Sequence, residues 1–211
     1  EEQIRRATAS YYAMTETVDR YFGQILSRLE DLGQNLDEWI IVYTTDHGEM
    51  LGEHGIWEKT RFYEGSVRVP LIIRWPRGFA GGRVVGENVN VCYRDATLCD
   101  LAGLAVPEGL DSRSLGPLLR GETCAWDNET VSQMGRHQVM IKRDDLKYQW
   151  YGEGIPEVLF DLARDPRELE NVAGTAEYAA VMGAFRRRLG QLGHGPLADP
   201  EYRNAGYRPF V

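Results

Sequence analysis

The sequence predicts an α/β fold followed by a small antiparallel β-meander with a covering helix. Three observations carry that reading. Apolar residues recur at helical spacing from 3 to 32. Two continuous apolar runs, 39–43 and 69–75, bracket a polar, glycine-rich stretch. Beyond about residue 123 the pattern shifts to short, partly alternating segments. Residues 1–122 are therefore assigned to the main α/β part, and 123–211 to a smaller α+β subdomain with its tail.

The first element is one long helix over 3–32. Ile4, Ala7, Tyr11, Met14, Val18, Phe22, Ile25, Leu29 and Leu32 fall at steps of three and four, the period of an amphipathic helix. Gly33 is placed to end it as a left-handed cap. At 1.5 Å per residue it would run ~45 Å, which suggests packing on a larger sheet. A dimerising coiled coil fits less well, because Tyr, Thr and Ala occupy much of the seam. Trp39–Thr45 and Pro70–Trp75 read as strands. Continuous apolar runs bounded by breakers suit strands buried on both faces, as in a parallel sheet. Two such strands are too few for a complete sheet, so the chain reads as part of something longer. Asn88–Cys92 is expected as a short strand, Arg94–Ala102 as a helix closed by Gly103, and Leu115–Leu119 as a helical turn ending at Gly121.

Thr130–Met134, Val139–Lys142, Leu146–Tyr151 and Val158–Leu162 then form the meander, with turns such as Asp144-Asp145 between them. Ala176–Leu192 presents Tyr178, Val181, Met182, Phe185, Leu189 and Leu192 on one side and reads as the covering helix. The Gly-, Pro- and Tyr-rich tail from Gly193 is expected to be irregular.

A net charge of −8 over 211 residues argues against a nucleic-acid backbone as partner, because no basic face could dominate. No apolar run approaches the ~20 residues of a membrane span. Cys92, Cys99 and Cys124 form no C-x-x-C pair, which points away from a zinc site or a disulfide framework and leans to a reducing, cytoplasmic setting. The chain opens at Glu1 without a Met, so targeting is left unassigned.

The stretch between the two strands carries the candidate chemistry. In open α/β sheets ligands bind beyond the carboxyl ends of strands, and Asp46 lies there. Asp46-His47 suits half of a metal site, or equally a capping Asp beside a surface His. The two side chains reach one ion only if the chain turns, which Gly48 permits. Lys59 is the sole Lys before Lys142. It suits an oxyanion substrate, or is a solvated loop lysine. His54 reads as a proton donor or substrate contact, or as a turn residue. Arg61 reads as a contact to an anionic substrate, or as packing for the loop, like Trp57 and Tyr63. His137 and His194 read as structural. Asp161, Asp165-Pro166 and Asn171 read as turn and cap chemistry.

These residues resemble a known family. Thr45-Asp46-His47-Gly48-Glu49-Met50-Leu51-Gly52-Glu53-His54-Gly55, Trp57-x-Lys59 and Tyr63-Glu64-Gly65-Ser66-Val67-Arg68-Val69-Pro70 are similar to the C-terminal half of the type I sulfatases, members of the alkaline-phosphatase-like superfamily. So are Arg94 to Leu104, Asp111-Ser112-Arg113-Ser114-Leu115 (with Ser112 where that family has Gly) and Leu159-Phe160-Asp161-Leu162 with Asp165-Pro166 and Asn171. The resemblance implies the C-terminal part of an alkaline-phosphatase-like α/β sandwich. It implies a metal-dependent sulfuric ester hydrolase with Asp46 and His47 as metal ligands and Lys59 as the catalytic, sulfate-contacting lysine; His54 and Arg61 are expected as substrate contacts on their residue types and place in the loop alone. The implied metal is calcium, with manganese or iron as alternatives. The implied nucleophile is a formylglycine made from C/S-x-P-x-R. No such motif occurs here, so it is expected in an N-terminal half, the first implied partner, and the chain alone is expected to be inactive. The other partner is a small-molecule or carbohydrate sulfate ester; a second copy of the chain is left open. A phosphonate monoester or phosphodiester hydrolase, or a non-catalytic sulfatase-like module, is the alternative.

Overall fold

The structure, a computed structural model, describes residues 1–135 and 137–198. The tail beyond Ala198 lies outside them. The chain divides into two compact units, one of 1–85 with 91–123, the other of 86–90 with 124 onward.

In the first unit, helix α1 spans Glu2–Asp31. It ends as Gly33 predicts. Gly33 has φ +77, and the Gln34 N–H reaches back to the Leu29 carbonyl at 3.0 Å, a Schellman closure. None of its residues is fully buried. Phe22, Leu26 and Leu29 are half-buried, and the Phe22 ring lies 5.2 Å from that of Tyr43. Met14, Val18 and Ile25 remain more than half exposed.

Strand β1 (Ile41–Thr44) pairs with β2 (Leu71–Arg74), and the pairing is antiparallel, Ile41 opposite Arg74 and Thr44 opposite Leu71. This corrects the parallel expectation. A parallel return needs a crossover of a dozen or more residues, usually a helix. The segment between these strands contains only the short helix α2 (Glu64–Val67) and a 3-10 turn at Glu53–Gly55. The strands are also not buried on both faces: β1 is half-buried throughout and β2 alternates. Outward-facing Arg74 anchors the pair, donating to the Leu36 carbonyl at 2.8 Å and to Asp37 at 2.5 Å. Helices α3 (Tyr93–Leu101) and α4 (Gly116–Arg120) follow. Buried Thr97 joins them, since its hydroxyl accepts the Leu115 N–H at 2.9 Å.

The second unit is a four-stranded antiparallel sheet in sequential order: β3 (Glu129–Met134), β4 (Gln138–Arg143), β5 (Leu146–Trp150) and β6 (Val158–Asp161). Period-two alternation puts Val139, Ile141, Tyr148, Trp150 and Leu159 on one face, and register aligns them: Ile141 opposite Tyr148, Tyr148 opposite Leu159. Helix α5 (Ala179–Gln191) covers that face with Met182, Phe185 and Leu189, and the Phe185 ring stacks on Tyr148 at 5.4 Å. The opposite face buries Lys147, whose ammonium meets the Glu168 carboxylate at 2.5 Å.

The turn residues act as expected. Asp165 accepts the N–H groups of Leu169 and Glu170 at 2.6 and 2.8 Å. Asn171 accepts those of Leu159 and Ala173 at 3.0 and 3.1 Å. Asn88–Cys92 is not a strand, contrary to expectation. Segment 86–90 binds instead through side-chain amides: Asn88 donates to the carbonyls of Asn128 and Asp144 at 3.0 and 2.9 Å, and Asn90 to that of Val131 at 2.8 Å. Among the described residues, no helix is long and apolar enough to cross a membrane.

Candidate active site

The loop joining β1 to β2 is folded on itself by its own backbone. Gly48 donates to the Ser66 carbonyl at 2.7 Å, and Met50 to the Glu58 carbonyl at 3.0 Å. Met50 is wholly buried beneath this arrangement. The sequence explains why the chain can approach itself so closely. A Cβ on Gly48 would stand 2.1 Å from the Gly65 carbonyl oxygen. Gly48 thus serves by lacking a side chain rather than by a left-handed turn. We expect Gly48→Ala to lower the chain's stability by about 1–3 kcal/mol, as overpacking does, in urea unfolding monitored by circular dichroism. Gly81→Ala, where a Cβ meets nothing within 4 Å, should leave it within about 0.5 kcal/mol.

Asp46 and His47 follow the carboxyl end of β1. The Asp46 carboxylate is held by the Thr45 hydroxyl at 3.2 Å and the His47 N–H at 3.0 Å. Its own backbone N–H above all, with lesser help from the His47 ring and Thr45, draws its pKa below the usual carboxylate value against the opposing effect of desolvation. The His47 Nδ1 lies 2.8 Å from the Gly48 carbonyl. A carbonyl only accepts, so Nδ1 carries the proton and Nε2 keeps its lone pair in the neutral ring. Nε2 faces Asp46 Oδ2 at 3.6 Å. Two acceptors so placed repel unless a cation or proton lies between them. A ring N–H tied to a backbone carbonyl is also the usual support of a metal-ligating histidine. The pair therefore fits a metal ion as two of its ligands. Among the described residues, no group of three or more His, Cys, Asp or Glu side chains gathers for a metal.

Lys59 is exposed, yet its backbone is locked on both sides. The Glu49 carboxylate takes the Glu58 N–H at 2.6 Å. The Lys59 carbonyl accepts the Arg61 N–H at 2.8 Å and the hydroxyl of Ser66. His54 is exposed at φ +52 with its ring stacked on Tyr63 at 4.0 Å. The Arg61 guanidinium donates to the neighbouring Thr60 carbonyl at 2.7 Å. The loop thus carries all five candidate residues, and only Asp46 and His47 face each other directly. Glu49 and Ser66 were not singled out by sequence reasoning. Their signal lay in the His47-Gly48-Glu49 and Glu64-Gly65-Ser66 runs, which show nothing of the backbone contact between them.

Residues 52–194 match the family described as N-sulphoglucosamine sulphohydrolase, C-terminal. The chain belongs to the sulfatase family. This sulfatase chain is 36% identical over its whole length to arylsulfatase K of Gallus gallus, covering 41% of that protein. It is 36% identical to an N-acetylglucosamine-6-O-sulfatase of Bacteroides thetaiotaomicron, over 80% of the chain and 32% of that protein. Among solved structures it superposes on the phosphonate monoester hydrolase of Agrobacterium radiobacter with a TM-score of 0.76 and 33% identity, over 86% of the chain and 40% of that protein. The chain thus spans less than half the length of these relatives. Its helices and antiparallel sheets are those of the C-terminal α/β part of a sulfatase.

Proposed function

We propose that this chain supplies the metal- and oxyanion-binding C-terminal part of an enzyme that hydrolyses sulfate esters. The observation that carries the reading is the Asp46–His47 pair, a carboxylate oxygen and an imidazole nitrogen 3.6 Å apart, on the same loop as an exposed lysine whose backbone is fixed. Asp46 Oδ2 and His47 Nε2 would hold a divalent ion, for which we assign calcium. The bound ion supplies positive charge against the anionic ester. A calcium site takes six to eight oxygen ligands, so the rest of the ligand set belongs to the N-terminal half of the enzyme, together with the formylglycine nucleophile. Gly48 keeps His47 in the tautomer that presents Nε2. Lys59 places an ammonium at the ester oxygens and balances charge as the bond to the leaving alcohol breaks. His54 and Arg61 lie on the same loop and meet the substrate at the rim of the site.

A second reading is favoured by one specific observation. Imidazole is a ligand better suited to transition metals than to calcium, and a phosphonate monoester hydrolase superposes on this chain. In that reading the ion is manganese or iron and the ester a phosphonate monoester. The whole enzyme, assayed with 4-nitrophenyl sulfate and with a phenylphosphonate monoester under each metal, separates the two. Preference for the sulfate ester supports the first reading and preference for the phosphonate the second. Hydrolysis of neither makes the protein a non-catalytic module. Two ligands do not hold calcium tightly, so the 211-residue chain alone should show no calcium-dependent rise in melting temperature. A clear rise would reveal further ligands within it.

A further inference from the structure

Ser66 is 3% exposed and makes three bonds of different direction. Its N–H donates to the Tyr63 carbonyl at 2.9 Å, forming the first turn of α2. Its carbonyl accepts the Gly48 N–H at 2.7 Å, directly after the Asp46–His47 pair. Its hydroxyl donates to the Lys59 carbonyl. One buried residue therefore bonds both to the turn that presents the carboxylate and imidazole and to the residue that presents the ammonium. Packing alone does not require a hydroxyl, since alanine nearly fills the same volume. What the hydroxyl adds is a fixed place for the Lys59 peptide group. From that peptide group springs a long side chain that is otherwise exposed.

We infer that Ser66 is a positioning residue that sets the span between the metal-binding pair and Lys59, and so aligns the ammonium with the oxyanion of a bound ester. This rests on the reading of Lys59 as the oxyanion contact. Misplacement by about 1 Å can reduce turnover about 10²-fold, and the loss here is of one bond behind a flexible side chain. The bond to Gly48 is made by the Ser66 backbone, so it survives substitution and the metal-binding pair stays in place.

The test is a double-mutant cycle in the whole enzyme, with kcat and KM measured for 4-nitrophenyl sulfate and metal affinity measured by calorimetry. Ser66→Ala should lower kcat/KM by about 10- to 100-fold, mainly in kcat, with metal affinity unchanged. Added to Lys59→Ala it should cost little more, because residues that act through one group are not additive. A neutral Ser66→Ala, a loss that adds in full to that of Lys59→Ala, or weakened metal binding would each overturn the proposal while leaving Lys59 in the site. A neutral Lys59→Ala would overturn the reading of the site and this proposal with it. If Ser66→Ala does not fold, Ser66→Cys, with a thiol too weak a donor to hold the carbonyl, carries the same cycle.

Discussion

Lys59→Ala in the whole enzyme is expected to lower kcat/KM for a sulfate ester by about 10²–10³-fold, the scale of removing one preorganised oxyanion donor. Lys59 is the only lysine of the first unit, since the next in the sequence, Lys142, belongs to the second. Preorganisation is what makes the expected loss large. The peptide groups around Lys59 are fixed before substrate arrives, by Glu49 at the Glu58 N–H and by Arg61 and Ser66 at the Lys59 carbonyl. What these bonds fix is the backbone from which the flexible lysine side chain springs. Lys59→Arg should recover only part of the rate, since a planar guanidinium places its donors differently from an ammonium. Steady-state kinetics against both esters checks this, and turnover near the parent level in Lys59→Ala would remove the residue from the site.

Glu168→Gln is expected to destabilise the second unit by about 3–5 kcal/mol, the loss seen when one partner of a buried ion pair is removed. The Lys147 side chain is 0% exposed and that of Glu168 2%. Lys147 sits on β5 opposite Lys142 and Phe160, where an ammonium without a counter-charge has little access to water. Replacing both partners, Lys147→Met with Glu168→Leu, should recover most of the stability, because the desolvation of both charges is then avoided. Urea denaturation of the chain, followed by the near-ultraviolet signal of Trp150, measures both variants. A loss below about 1 kcal/mol for Glu168→Gln would mean that the pair is solvated, as exposed pairs are.

The elements were legible where local chemistry alone decides them. Gly33 and Gly121 end their helices as the sequence indicates. The meander reads from its alternation, because each strand pairs with its sequence neighbour and one face meets one helix. The direction of β2 against β1 was not legible: an apolar run such as Leu71–Ile73 looks the same whichever way its partner runs. Asn88 and Asn90 were misread as strand because their bonds are made by side-chain amides, which leave no period in the sequence. The candidate site was legible as residue types, in Asp46, His47 and Lys59, and through the family resemblance. Its bracing was not. Ser66 and Gly48 meet through backbone atoms, and a sequence displays side chains only.

The strap at 86–90 gives the fold a clock. The chain passes from the first unit to the second, back, and out again, so Asn88 leaves the ribosome well before its partners. It is fifty-six positions ahead of Asp144. At about 5–20 residues per second, that is a wait of roughly 3–11 s in which two amides destined for a sheet edge have only water to bond. The second unit is therefore not built from sequence neighbours alone, however local its strands. The segment that bonds β3 was made before any of the unit's strands.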